Sequence, residues 1–118
     1  MADTKIRLKV LLAQKCTPLK GIQNATSPEQ ADELLALLPD WKFGPKRADI
    51  RKQFSFPDFA QALAFVNALG WIAEKENHHP DIELGWGRVL VCFSTHDVGG
   101  LSRNDFICAA KTEALLKA

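Results

Sequence analysis

The stretch Ala48-Asp49-Ile50-Arg51-Lys52-Gln53-Phe54-Ser55-Phe56-Pro57-Asp58-Phe59 decides the fold. Ala48, Ile50, Lys52, Phe54 and Phe56 fall on one face, and Asp49, Arg51, Gln53 and Ser55 on the other. That period of two is the pattern of a half-buried strand with its polar residues outward. At Pro57-Asp58 the period changes. These two residues open a long amphipathic helix whose buried side is predicted to carry Phe59, Leu63, Val66, Leu69 and Ile72 or Ala73. Gly70 weakens that helix by about 1 kcal/mol relative to alanine without ending it.

Upstream, Ser27 suits an N-cap, Pro28 the first helical position and Gln30 the third position of a capping box. Ala31, Leu34, Leu35 and Leu38 give an apolar stripe, and Pro39 stops the helix. Trp41 to Phe43 is a short strand candidate, with Gly44 and Pro45 as its turn. Downstream, the break at His78-His79-Pro80 precedes a second strand pair. Ile82, Leu84 and Trp86 alternate, and Arg88–Thr95 is rich in β-formers. Gly99 and Gly100 form a loop, and Ser102 caps a last helix with Asp105 at its third position. The order α-β-β-α-β-β-α implies an α+β domain: a four-stranded antiparallel sheet with helices packed on one face. Leu90 and Cys92 are expected on the uncovered face, where they suit an oligomer seam. Residues 1–26 show no clear period and read as an irregular N-terminal extension to a single domain over residues 27–118.

A chain of 118 residues has room for one domain and one modest core. A formal net charge of +1 gives no electrostatic reason to expect nucleic acid or an anionic membrane as main partner. Cys16, Cys92 and Cys108 are odd in number and widely spaced, so neither a disulfide framework nor a CxxC metal knuckle fits them. Reduced thiols in a reducing compartment are the simple reading. Val10-Leu11-Leu12 is far shorter than the roughly 20 apolar residues of a membrane helix. No secretory apolar region with its cleavage site is seen at the N-terminus, so a cytosolic location is the expectation.

All three histidines, His78, His79 and His96, lie within nineteen residues of one another. Pro80 pushes His79 out of helical backbone, and His96 follows a strand just before a glycine loop. Imidazole is the group that both gives and takes a proton near neutral pH. Spacing alone leaves two readings open, surface or capping histidines and general acid–base catalysis. A zinc site gains little support, because neighbouring residues rarely ligate one ion together and no HxH or HxxxH pair occurs.

The local sequence is more specific. Glu74-Lys75-Glu76-Asn77-His78-His79-Pro80, then Trp86, then Ser94-Thr95-His96 and Asp105 resemble the signature of the pterin-4a-carbinolamine dehydratases. The resemblance extends upstream through Leu37-Leu38-Pro39-Asp40-Trp41 and Ile50 to Phe59, and it covers residues 27 to 117. It implies conversion of 4a-hydroxytetrahydropterin to quinonoid dihydropterin by loss of water, recycling the tetrahydrobiopterin of aromatic amino acid hydroxylases, with no metal and no organic cofactor. By the same resemblance His78, His79 and His96 are the catalytic trio. Glu74, Asn77, Ser94, Thr95, Asp97 and Asp105 join them as pterin contacts, with Trp41 at the pocket mouth; a buried aromatic at a strand start is the equal alternative for Trp41, and a plain helix cap for Asp105. The family forms dimers and tetramers. Its animal members also bind a homeodomain transcription factor, which makes a transcription-factor partner and a nuclear location the alternative for an animal protein. A bacterial-type member acting on another pterin, as in molybdopterin metabolism, is a further alternative.

Overall fold

The computed structural model describes the backbone of residues 2–116 and the side chains of residues 8–116. Four helices, α1 (Ala2–Ala13), α2 (Pro28–Leu35), α3 (Phe59–Glu76) and α4 (Arg103–Ala114), accompany four strands. The strands are β1 (Lys42–Phe43), β2 (Ile50–Ser55), β3 (Asp81–Gly85) and β4 (Arg88–Phe93), all antiparallel in the order β1-β2-β4-β3. The α+β expectation is met, and the alternation around Arg51 is the alternation of the sheet.

Register explains which side chains enter the core. Ile50 lies opposite Phe93, Phe54 opposite Val89 and Ile82 opposite Val91. Side chains opposite one another share a face, so Ile50, Phe54, Val89, Val91 and Phe93 form one buried sheet surface. Against it pack α3 and α4, the latter through Phe106, Ile107 and Ala110. The other face carries Arg51, Gln53, Glu83 and Arg88, with Leu90 and Cys92 half-buried among them. There the Arg51 guanidinium grips Asp49 through two bonds, Nε–Oδ1 at 2.9 Å and Nη2–Oδ2 at 2.8 Å.

Local signals place the helix starts well. Ser27 and Gln30 form the reciprocal capping box, and Asp58 accepts the N–H of Gln61 at 2.8 Å at the start of α3. Two expectations need correction. The first concerns α3, whose buried side is Ala62, Phe65, Leu69 and Ala73. Phe59 and Leu63 are 43% and 39% exposed instead. The helix carries two apolar stripes, and the sheet selects the one led by Phe65. That ring meets Phe54 and Phe56 at centroid distances of 4.8 and 5.1 Å, and the two alanines let the helix approach closely.

The second correction concerns residues 1–26. Far from being irregular throughout, they begin with α1, which packs on α4 and buries Leu11 completely beside Leu8 and Leu12. Its stripe of Leu8, Leu11 and Leu12 is too short for periodicity to reveal, and Val10 breaks it. Tertiary contact supplies the stability, as it does for most short helices. Lys111 on α4 adds a bond to the Leu12 carbonyl at 2.8 Å. Residues 14–26 then cross the molecule as a strap whose regular structure is one 3-10 turn at Ile22–Asn24.

Candidate active site

Helix α3 ends in a Schellman turn. Asn77 adopts left-handed φ/ψ of 52° and 42°, a conformation asparagine tolerates. Its N–H donates to the Glu74 carbonyl at 3.2 Å, and the His78 N–H reaches back to Ala73 at 3.1 Å. Pro80 cannot continue a helix and disfavours helical backbone at His79. The reversal sends two consecutive imidazoles apart. His78 turns inward, its ring 6.0 Å from that of Phe93 and within 9° of parallel, with 11% of its side chain exposed. His79 stays outside and is half exposed.

Each of these imidazoles meets a carboxylate. Nε2 of His78 lies 2.6 Å from Oδ1 of Asp105, and Nε2 of His79 lies 2.6 Å from Oε1 of Glu74. The two pairs differ in setting. Glu74 and His79 sit in solvent, where such pairs contribute about 0–1 kcal/mol. Asp105 is completely buried at the first turn of α4. Its Oδ2 accepts the Ser102 N–H at 2.9 Å and the Thr95 hydroxyl at 2.8 Å. The Thr95 proton being committed there, the Ser102 hydroxyl donates to Thr95 Oγ1 at 2.8 Å. Asp105 is thus both a helix cap and the orienting partner of His78. A carboxylate against Nε2 keeps the ring proton on that nitrogen and leaves Nδ1 as acceptor.

His96 is presented differently. Beyond β4, Thr95 and Gly100 pair back to back, with Thr95 N–H to Gly100 O at 2.7 Å. They pinch off a loop whose single 3-10 turn spans His96–Val98, and Gly99 closes it with φ of 76°. Val98 anchors this loop in the core, so His96 and Asp97 are left exposed.

Thr95 is the wall between two cavities. One, of about 290 Å³, contains His78, Asn77 and Asp97 on one side and the strap residues Cys16 to Lys20 on the other. The second, of about 410 Å³, contains Ser94, His96 and the carboxylates of Asp49 and Asp81. His78 and His96 are therefore brought to adjacent cavities, while Glu74 and His79 line neither. Two of the expected contact residues lie inside the protein, Trp41 as the buried aromatic and Asp105 as the helix cap. Trp41 is buried in the core, edge-on to Phe54, with its Nε1–H donating to Glu113 Oε1 at 2.8 Å. It neighbours Phe93 on the core side. Asp105 has no exposed surface, and the imidazole its carboxylate meets is that of His78.

Sequence reasoning found Ser102 as the cap of α4 but missed its place beside His78, along with Asn104 and the strap. The Ser102-x-x-Asp105 box carried that signal, since a capping carboxylate must point back at its own helix start. Nothing local signals the strap. Its Thr17 exchanges two bonds with the Asn104 side chain, Thr17 N–H to Oδ1 at 3.2 Å and Nδ2–H to Thr17 O at 2.7 Å. Cys16 Sγ lies 3.4 Å from Cys108 Sγ beneath it.

Hydrogen bonding with Cys16, together with burial, pushes the Cys108 thiol far above its ordinary range. The folded thiol thus stays protonated where the unfolded one ionises. The stability it contributes is full below the unfolded thiol pKa and declines as pH rises above it. The decline is about 1.4 kcal/mol per pH unit above roughly pH 8.5–9. Denaturant titrations from pH 7 to 10 on Cys108→Ala are expected to show an alkaline limb shallower by that slope.

The profile of the family described as Pterin 4 alpha carbinolamine dehydratase matches residues 24–115. A protein of Xanthomonas oryzae assigned as a pterin-4-alpha-carbinolamine dehydratase is 50% identical over 100 residues, 85% of each chain. One of Chromobacterium violaceum with the same assignment is 49% identical over 107 residues, 91% of this chain and 96% of its own. Among solved structures, a transcriptional coactivator/pterin dehydratase from Brucella melitensis superposes with a TM-score of 0.75 at 32% identity. It covers 78% of this chain and 98% of its own. A pterin dehydratase-like protein identified as a RuBisCO assembly factor in the alpha-carboxysome gives 0.57 at 28% identity, over 67% of this chain and 92% of its own.

Proposed function

The chain belongs to the pterin-4a-carbinolamine dehydratase family, a family of hydro-lyases, and from that membership we propose that it dehydrates 4a-hydroxytetrahydropterin by histidine acid–base catalysis. The C4a–O bond breaks and the leaving oxygen takes a proton to become water. The lone pair of the neighbouring ring nitrogen forms the new double bond as that nitrogen gives up its proton. An acid is needed at the oxygen and a base at the nitrogen. The observation that carries the assignment is the buried Asp105 carboxylate on Nε2 of His78, which leaves Nδ1 of an inward-turned imidazole as acceptor. His78 is the base in this reading. His79, held by Glu74 outside both cavities and open to solvent exchange, is the proposed source of the proton that reaches the leaving hydroxyl. His96, with Ser94 and Thr95, holds the pterin from the neighbouring cavity. Asn77 and Asp97 contact it beside His78. Recycling of tetrahydrobiopterin is the proposed physiological role.

Stopped-flow dehydration of the carbinolamine tests this. The wild type should accelerate the reaction, and His78→Ala, His79→Ala and His96→Ala should each lower it, by about 10²–10⁴-fold where the residue transfers a proton. Near-wild-type rates in all three variants would refute the assignment.

A second reading, a protein-interaction module that forms a homodimer or homotetramer, is favoured by one observation. Leu90 and Cys92 sit half-buried on the sheet face that no helix covers, and the Brucella relative is described as a coactivator. Inactive wild-type protein that still oligomerises would support it. No helix among the described residues is long and apolar enough to cross a membrane.

A further inference from the structure

The cavity that holds His78 has a wall the family match does not include. Its inner side is Asn77, His78, Thr95 and Asp97, all within residues 24–115, but its outer side is the strap from Cys16 to Lys20. That strap is pinned at several points. The Cys16 N–H donates to Glu76 Oε1 at 2.8 Å, and the Gly21 N–H to the Asp97 carbonyl at 2.8 Å. Between these, Asn104 holds Thr17 through both its amide oxygen and its amide nitrogen. Asn104 is nearly buried and adjoins Asp105, the partner of His78. One turn of α4 therefore fixes the catalytic imidazole with one residue and the facing wall with its neighbour.

We propose that the strap Cys16–Lys20 is the outer wall of the pterin site, and that Asn104 is a positioning residue that sets substrate affinity by pinning it. The proposal rests on the dehydratase reading above and adds a substrate-contacting segment to it. Because the Asn104 carboxamide matches a peptide group at both its N–H and its C=O, loss of it loosens the strap between its Cys16 and Gly21 anchors while His78, Thr95 and Asp105 keep their own bonds. The signature is a split between binding and turnover. A wall that closes over the bound pterin and exchanges no proton with it contributes equally to ground and transition states and so appears in KM.

The experiment uses the full chain carrying Cys92→Ser, so that Cys16 is the accessible thiol and Cys108 stays buried. In that background Asn104→Ala should raise the rate of Cys16 alkylation, reporting a released strap. It should raise KM for the carbinolamine about tenfold, the equivalent of one or two lost hydrogen bonds, with kcat changed less than about threefold. A released strap with unaltered KM would overturn the proposal while leaving the dehydratase reading intact. Wild-type protein without turnover would overturn that reading instead. A second measurement needs no variant at position 104. Saturating 7,8-dihydrobiopterin, a non-reacting analogue, should slow Cys16 alkylation several-fold, and an unchanged rate would equally overturn the wall.

Discussion

Asp105→Asn is expected to lower the dehydration rate by about 10²–10⁴-fold, the range associated with loss of a correctly held acid–base group. The carboxylate is surrounded by donors, namely His78 Nε2–H, Thr95 Oγ1–H and Ser102 N–H. Asparagine has one oxygen to offer where aspartate has two, and its NH₂ must face a donor on one side. If it faces His78, the imidazole must put its proton on Nδ1, the nitrogen the mechanism needs as acceptor. If it faces Ser102 and Thr95, the cap of α4 is lost and the chain is destabilised. Steady-state kinetics beside a thermal melt separate these outcomes, since the first lowers kcat with little change in Tm.

The second large effect concerns stability. Glu113→Ala should cost about 2–4 kcal/mol, somewhat under the range for breaking a fully buried ion pair because both partners retain slight exposure. Oε1 of Glu113 accepts from the indole of Trp41 at 2.8 Å and from the ammonium of Lys52, which also donates to the Pro39 carbonyl at 3.0 Å. Lys52 lies on the core face of β2 beside Phe54, with 14% of its side chain exposed. Removing Glu113 leaves an ammonium and an indole N–H to be satisfied in a mostly apolar setting. Glu113→Gln, which keeps an oxygen for both donors, should lose less. Urea unfolding gives the comparison, and a loss for Glu113→Ala within a few tenths of a kcal/mol of zero would show that water reaches Lys52.

These two cases mark the boundary of what the sequence reveals. Features made by neighbouring residues were readable: the Ser27–Gln30 box, the alternation from Ile50 to Ser55, and the end of α3 before His78-His79-Pro80. Features made by distant residues were not. The choice between the two apolar stripes of α3 depended on where Phe54 of β2 and Phe56 just beyond it stood, and α1 had no reason to form until α4 was in place. Trp41 illustrates the cost for the site. Its position matches a pocket residue of the family, but its indole partner is 72 residues away in α4 and holds it in the core. The histidines were recognisable as a group because motif residues surround them in sequence. Their division between an inward and an outward carboxylate pair needed the left-handed turn at Asn77 and the 27-residue separation of His78 from Asp105.

The central claim is that His78 and Asp105 act as one unit in proton transfer on the pterin, and a double-mutant cycle tests it most directly. Dehydration rates would be measured for wild type, His78→Ala, Asp105→Asn and the double variant. If the two act together, the double variant is no slower than His78→Ala by more than about threefold, because removing the imidazole already removes what Asp105 contributes. Rate losses that multiply independently, or a His78→Ala variant as fast as wild type, would contradict the account.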